Sequence, residues 1–433
     1  MLTRFWKKVL MSKPKIIVIA GTTGVGKSQL SIQIASKFNG EVINSDSMQV
    51  YKDLPIITNK HPLNERDGIP HHVMNNVEWN EEYYIHRFEK ECIEAIDEIH
   101  SRGKIPIVVG GTHYYLQTLF NKRIDSKMRT PTEEELQILN SSDGTLIYNT
   151  LLKHDSSIAE KFHPNDSRRV RRMLEIYYTT GEKPSNAYAK QETSLKYDTL
   201  FLWVYSEPKE LDQRLDNRVD NMLRIGGMAE IRQLYEYYCK NSFTAEQCEN
   251  GVWQVIGFKE FLPWLNKEPN VTLDQCVERM KIRTRQYAKK QVKWIKKMLV
   301  PDIDGRIYLL NATDLGQWDT RVASRANIIV NQFIDNQTLT EEYAPLELQK
   351  LLTKRSPESS SPKETGDWKH YVCDICCDQN DKELIAIGES GWQIHLKSKR
   401  HKANLNRGKR KKQYEDWKKK KEVQTSVEKG SPV

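Results

Sequence analysis

Short, wholly apolar runs alternate with longer amphipathic ones along the first half of the chain. Ile16-Ile17-Val18-Ile19-Ala20 is β-branched and uncharged, and from Gln29 to Ala35 the apolar positions switch to helical spacing. That change of period predicts a buried strand followed by a helix. Glu41-Val42-Ile43-Asn44-Ser45 reads as a second strand. Glu81 to His100 reads as a charged helix with an apolar stripe at Tyr84, Phe88, Ile93, Ile96 and Ile99. Lys104 to Val109 is again a buried strand by composition. Thr199-Leu200-Phe201-Leu202-Trp203-Val204-Tyr205 carries no charge and no proline, so it belongs in the middle of a sheet, and exposed it would be an aggregation liability. Strands spaced by helices predict an α/β fold with a parallel sheet.

From about Asn121 to Lys196 strand patterns vanish and polar helical segments take over, which we read as a helical insertion. It contains Arg168-Arg169-Val170-Arg171-Arg172, with Val170, Leu174 and Tyr177 expected to face inward and the arginines to form a phosphate-contacting surface. A basic helix follows over Arg214 to Leu223. A longer one holds Arg279 to Lys297, where cations interleave with Tyr287 and Trp294 and acids are absent, a composition suited to an RNA backbone and stacked bases. The expected organisation is a candidate leader at 1–14, a core at 15–120 and 197–333, the insertion at 121–196, a linker at 334–369, a finger at 370–402 and a basic tail at 403–433. The linker assignment rests on composition, with Arg355-Ser356-Pro357-Glu358-Ser359-Ser360-Ser361-Pro362 inside it.

The chemistry concentrates after the first strand. Gly21-Thr22-Thr23-Gly24-Val25-Gly26-Lys27-Ser28 is G-x-x-x-x-G-K-S in strand–loop–helix context. The glycines let backbone N–H groups converge on an anion, the helix N-terminus and Lys27 add positive charge, and the Ser28 hydroxyl can reach a magnesium ion. The protein is therefore expected to bind a di- or triphosphate. The second strand delivers Asp46-Ser47-Met48-Gln49-Val50-Tyr51 to the same edge, where Asp46 is either a site carboxylate or a helix N-cap. The strand ending at Val109 runs into Gly110-Gly111-Thr112, where a nucleotide-hydrolysing P-loop protein would carry a magnesium-holding aspartate. That substitution argues against a motor or switch NTPase.

Composition refines this picture. Across 433 residues, 29% are charged and the net charge is +9, consistent with a polyanionic partner. No apolar run approaches 18 residues, so no membrane-spanning helix is expected. Of 7 cysteines, Cys92, Cys239, Cys248 and Cys276 are scattered and read as reduced thiols in packing roles. Cys373 and Cys376, with His395 and His401, form C-x2-C-x18-H-x5-H, four ligands suited to tetrahedral zinc, while Cys377 stands aside. Met1 to Leu10 is basic and acid-free with a second start at Met11, which suggests either a frayed basic arm or a mitochondrial leader with an untargeted form, the latter implying cytoplasm and mitochondrion, and nucleus as a further location.

These motifs resemble those of the tRNA dimethylallyltransferases (tRNA isopentenyltransferases), of the eukaryotic, fungal type with a C-terminal matrin-type zinc finger. The matching stretches are Gly21 to Ser28, Asn44 to Tyr51, Ile57 to Lys60, Gly68 to His72, Gly110 to Tyr115, Arg168 to Leu174, Arg218 to Leu223, Ile256 to Glu260 and Arg283 to Ala288. The resemblance implies a P-loop NTPase-like parallel sheet with a helical insertion and a small C2H2 finger. It implies dimethylallyl transfer from dimethylallyl diphosphate to N6 of adenosine 37, with magnesium as catalytic cofactor, structural zinc in the finger, and the tRNA anticodon stem-loop as partner of a monomer. It also implies roles. Asp46 would be general base, and Thr23 would meet the bridging oxygen of the leaving group. Gly21 to Ser28 and Arg218 would hold diphosphate, with Ser28 on magnesium. Asp46, Ser47, Met48, Gln49, Thr112, Arg168, Arg169, Val170, Arg171, Arg172, Arg283, Arg285, Gln286, Lys289, Lys290 and Lys293 would contact tRNA. His71 and His72 receive no role beyond packing. The competing readings are a small-molecule P-loop kinase, a plant-type adenylate isopentenyltransferase acting on free nucleotide, and a non-catalytic RNA-binding adaptor.

Overall fold

A computed structural model describes residues 13–122, 129–191, 193–244, 247–352, 368–378, 383–407 and 414. The chain divides into two units, Met1–Lys122 with Glu192–Lys354, and Arg123–Gln191 with Arg355–Val433. The leader reading of Met1 to Leu10 with its Met11 start, the Ser/Pro segment 355–362 and most of the basic tail lie outside the described residues.

The first unit is built on six parallel strands in the order β3-β2-β4-β1-β5-β6. They are β1 (Lys15–Gly21), β2 (Gly40–Asn44), β3 (His71–His72), β4 (Ile105–Val109), β5 (Asp198–Tyr205) and β6 (Tyr308–Asn311). Side chains alternate across the sheet. Ile16, Val18 and Ala20 pack with Phe88, Cys92, Ile96 and Ile99 of the Ile85–Ser101 helix. Ile17 and Ile19 pack on the other face with Leu30 and Ile34 of the Lys27–Lys37 helix, and with Ile329 and Val330 of the Arg325–Ile334 helix. Both faces are covered, so the strands read as unbroken apolar runs. β5 is interior as expected, paired with β1 (Ile17 opposite Leu200) and β6 (Trp203 opposite Leu309).

Two strands carry no periodic signal. As periods these are too short to register, since β3 is two residues long and β6 four, although Ile307-Tyr308-Leu309-Leu310 is an apolar run that composition could have marked. The linker expectation at 334–369 is corrected over its first half. The Leu309 N–H donates to the Tyr343 carbonyl at 2.7 Å, and Ala344, Leu348 and Leu351 are buried against the sheet. These three, with Leu339 and Leu352 packed beside the core, keep residues up to Leu352 in this unit.

A third cluster lies off the sheet. Val50 and Tyr51, from the loop after β2, pack with Trp253, Phe258, Phe261 and Met280. This fixes the loop carrying Asp46 against the Phe258–Leu265 and Leu273–Trp294 helices. Since β2, β4 and β1 are neighbours, their C-terminal ends open onto one crevice.

In the second unit, helices Glu133–Asn140, Gly144–His154, Ser156–Ala159, Ser167–Thr180 and Pro184–Ala189 surround Ile147, Leu151, Val170 and Leu174. Asp166 caps the arginine-rich helix by accepting the Arg169 N–H at 3.2 Å. The finger is an antiparallel hairpin, β7 (His370–Cys377) and β8 (Glu383–Ile387), followed by the Gly388–Lys397 helix. It touches the helical insertion directly. His370 Nε2 donates to the Glu160 carbonyl at 3.0 Å, Asn165 Nδ2 donates to Asp378 Oδ2 at 3.1 Å, and the His370 and Tyr148 rings stack at 6.0 Å. Among the described residues no helix is long and apolar enough to cross a membrane.

Candidate active site

A cavity of about 260 Å³ opens at the crevice, lined among others by Thr23, Lys27, Ser28, Asp46, Gly111 and Arg218. The loop from Gly21 to Ser28 curls with Gly24 and Gly26 at φ 82° and 90°, and Arg214 braces it from below by donating to the Gly24 carbonyl at 3.3 Å. Thr22 and Val25 are buried, and of the loop it is Thr23, Gly24, Gly26, Lys27 and Ser28 that line the cavity. Lys27 Nζ donates to the Thr22 carbonyl at 2.7 Å, and Arg218 Nη2 donates to Thr23 Oγ1 at 2.6 Å. Desolvation lowers the Lys27 ammonium to about 8, with Asp46 acting against the fall and Arg218 adding to it. Arg218 is lowered by the same burial to about 10.

Among the described residues, Asp46 is the only acid lining the cavity. Burial raises its carboxyl, opposed by the N–H groups of Met48 and Gly111 and the charges of Lys27 and Arg218. Its Oδ1 accepts the Met48 N–H at 3.0 Å, so it does cap a turn, though no helix starts there. The loop is pinned further by Asn44 Oδ1, which accepts the Asp46 N–H at 3.1 Å, and by Thr112 Oγ1, which accepts the Ser47 N–H at 3.0 Å. Gln49 reaches across to donate to the Asn59 carbonyl at 3.0 Å. The absence of an acid directly after β4 is steric. A Cβ at position 110 would sit 2.1 Å from the Ser45 carbonyl oxygen, so only glycine fits there.

Sequence reasoning left three contributors out. His113 is buried against β1, where its Nε2 lies 3.0 Å from the Gly21 carbonyl oxygen and 3.2 Å from the Gly21 nitrogen; burial drives its basicity down to about 3, so it is neutral. Gln291 accepts the Thr23 N–H at 2.9 Å and donates to the Gly111 carbonyl at 2.9 Å. Tyr287 donates to that same carbonyl at 3.3 Å. His113 lies within the Gly110 to Tyr115 stretch and was within reach of sequence reading; Gln291 is masked by the cations around it. The two histidines left without a role separate clearly. His71 lines the cavity, lowered by burial to about 4. His72 instead pairs at 2.7 Å with the buried Glu41. Burial works to raise that carboxyl, but hydrogen bonds from Lys104, His72 and Arg102 bring it down to about 2.

Two expectations for RNA contact are corrected. Tyr287 and Trp294 do not present rings for base stacking, since Tyr287 turns to Gly111 and Trp294 stacks on His113 at 5.9 Å. The Leu273–Trp294 helix is not electrostatically bare either. Asp212, Asp216 and Asp220 of the Pro208–Met222 helix pair with Lys289, Arg285 and Lys281, and Glu260 pairs with Arg283. Gln286, Lys290 and Lys293 remain exposed.

In the second unit, Val170 is fully buried and cannot touch RNA through its side chain. Arg168 and Arg169 are exposed, Arg169 and Arg172 pair with Asp166 and Glu175, and Arg171 folds back to the Ser141 carbonyl. In the finger, the ligand atoms of Cys373, Cys376, His395 and His401 all lie within 4.8 Å of one another. His401 Nδ1 is 3.5 Å and 3.6 Å from the two sulfurs and 3.1 Å from His395 Nε2. Tetrahedral zinc at ordinary bond lengths needs ligand separations of about 3.3–3.8 Å; the two His401–sulfur distances fall in that range and the remaining separations bracket it, so the donor set suits zinc. Cys377 is exposed and outside it.

Comparison with known proteins places this geometry. A family profile described as IPP transferase matches residues 49–298. A tRNA dimethylallyltransferase of Saccharomyces cerevisiae is 65% identical over 413 residues, covering 94% of this chain and 96% of the relative. One from Schizosaccharomyces pombe is 36% identical over 427 residues, 92% and 96% of the two chains. A solved structure of a eukaryotic dimethylallyltransferase acting on tRNA superposes with a TM-score of 0.83 at 65% identity, over 94% of this chain and all of that one.

Proposed function

The chain belongs to the IPP transferase family, the tRNA dimethylallyltransferases, and we propose that it transfers a dimethylallyl group from dimethylallyl diphosphate to N6 of adenosine 37 in the tRNA anticodon stem-loop. The observation that carries this reading is a single carboxylate, Asp46, facing Lys27 and Arg218 across one cavity. The two cations and the loop amides take the diphosphate. Asp46 takes the proton from N6 as the new N–C bond forms and the C–O bond to diphosphate breaks. An exocyclic amine is a weak nucleophile, so alignment and leaving-group stabilisation supply most of the acceleration. Thr23, held by Arg218, stands where leaving-group charge develops. The target base must leave its stack to reach Asp46.

Ser28 lines the cavity, and its hydroxyl would help hold a magnesium ion, which would neutralise leaving-group charge. The Cys373, Cys376, His395 and His401 set would hold zinc in a structural role. We take the transferase to act as a monomer.

The discriminating assay is incubation with dimethylallyl diphosphate and either AMP or an anticodon stem-loop. Transfer to the stem-loop, with stoichiometric diphosphate release, is expected. Prenylated AMP instead would indicate a free-nucleotide enzyme, and binding without diphosphate release an adaptor.

The finger yields a separate expectation. Removing the chain from about Ser360 onward should leave transfer to a minimal stem-loop but weaken binding of whole tRNA. The slope of log K against log salt should flatten by roughly one unit per lost phosphate contact. Cys373→Ser should reproduce part of that loss, because zinc binding supplies most of the folding energy of so small a module. A salt titration of the three proteins checks this, and identical slopes would assign the finger another partner.

A further inference from the structure

Gln291 is 3% exposed, on the inner face of the Leu273–Trp294 helix. Its amide makes one bond in each sense, Oε1 from the Thr23 N–H and Nε2 to the Gly111 carbonyl, both at 2.9 Å. The two tethered groups belong to opposite halves of the reaction. Thr23 carries the hydroxyl that meets Arg218 on the diphosphate side, and the Gly111 N–H bonds the Asp46 carboxylate on the acceptor side. The packing leaves no slack, since a Cβ at position 111 would lie 2.5 Å from Gln291 Nε2 and 3.0 Å from Asp46 Oδ2. One turn earlier on the same helix, Tyr287 reinforces the grip on Gly111.

We propose that Gln291 is a positioning residue that sets the distance between the diphosphate loop and the base Asp46, so that donor and acceptor are aligned by one buried amide. The inference rests on the transferase reading above. The side-chain inventory explains the residue type. Glutamate lacks the donor, lysine and arginine lack the acceptor, methionine lacks both, and asparagine offers both but is one methylene short. The exposed face of the same helix carries Lys290 and Lys293. Any RNA held there bears on the element that sets the alignment.

The test is steady-state and single-turnover kinetics of Gln291→Met and Gln291→Glu with dimethylallyl diphosphate and a stem-loop, across pH. Gln291→Met keeps the volume and removes both bonds. It should lower kcat by about 10- to 100-fold, as small misalignments do, with KM for the stem-loop moving less than about threefold, since no RNA contact is removed. Its acid limb should move to higher pH. A hydrogen bond to a carboxylate favours the charged form, so loosening Gly111 raises Asp46. Of the groups facing that carboxylate, Lys27, Arg218 and Tyr115 are unchanged in the variant, while Tyr287 keeps its hydroxyl and loses its hydrogen bond with Gln291. Gln291→Glu keeps the bond to Thr23 but sets a second carboxylate near Asp46, and should move the limb further the same way. Tyr287→Phe, which removes one hydroxyl, should give a smaller shift in the same direction and serves if the others fail to fold.

Parental kcat and acid limb in these variants, with only the thermal midpoint lowered, would overturn the proposal and leave Gln291 as packing. If the unsubstituted chain transfers nothing to the stem-loop, the transferase reading itself falls and takes this inference with it. The two failures are therefore distinct.

Discussion

Asp46→Asn should lower the single-turnover rate of prenyl transfer by about two to four orders of magnitude, the range for loss of a general base, while tRNA affinity stays within a few-fold. The separation of rate from binding follows from the geometry. An asparagine oxygen can still accept the Met48 N–H that Oδ1 takes at 3.0 Å, and the Asn44 and Thr112 bonds to the same loop do not involve the carboxylate. The turn therefore survives, and what is lost is the proton acceptor together with one acceptor oxygen shared with the Gly111 N–H. Because burial holds the Asp46 carboxyl above its ordinary range, the parent should lose activity as pH falls through that raised value. The asparagine variant should show a low, flat rate with no acid limb. A near-parental rate would reduce Asp46 to a turn cap.

The same carboxylate shows what one dimension carries and what it does not. The loop from Gly21 to Ser28, the Asp46 turn and the Gly110-Gly111 turn are legible because each is a local pattern at the end of an apolar strand, and parallel topology forces such ends together. The sheet itself is legible where strands run five residues or more. β3 and β6 are shorter, and their existence depends on partners far along the chain. Gln291 is hidden for a different reason. Its neighbours Lys289, Lys290 and Lys293 make the segment read as an RNA-facing surface, and which face of a helix is buried depends on what packs against it.

Electrostatic compensation is equally non-local. The basic helix looks acid-free, yet Asp212, Asp216 and Asp220 recur every four residues on the helix beside it and pair with three of its cations. The linker reading fails at 339–352 because composition averages over the few apolar residues, Ala344, Leu348 and Leu351, that decide the packing.

Lys27→Ala should raise KM for dimethylallyl diphosphate and lower the transfer rate, together by about two to three orders of magnitude in kcat/KM, the cost of removing one charge-stabilising donor from a preorganised site. Both constants should move, because the ammonium meets diphosphate in the ground state and again as charge builds on the leaving group. Arg218 remains, and its lowered value of about 10 still leaves it charged at neutral pH, which is why activity falls without vanishing. The pH dependence gives a second signature. In the free protein the Lys27 ammonium is lowered to about 8, so kcat/KM for the donor should fall as pH rises past that value. Bound diphosphate favours the charged amine, so at saturating donor the alkaline limb should move to higher pH, and Lys27→Ala should abolish it in both regimes. Lys27→Arg is not expected to rescue, since a planar guanidinium cannot replace a compact ammonium donating to the Thr22 carbonyl at 2.7 Å. Unchanged donor kinetics in Lys27→Ala would mean that the loop does not hold the diphosphate.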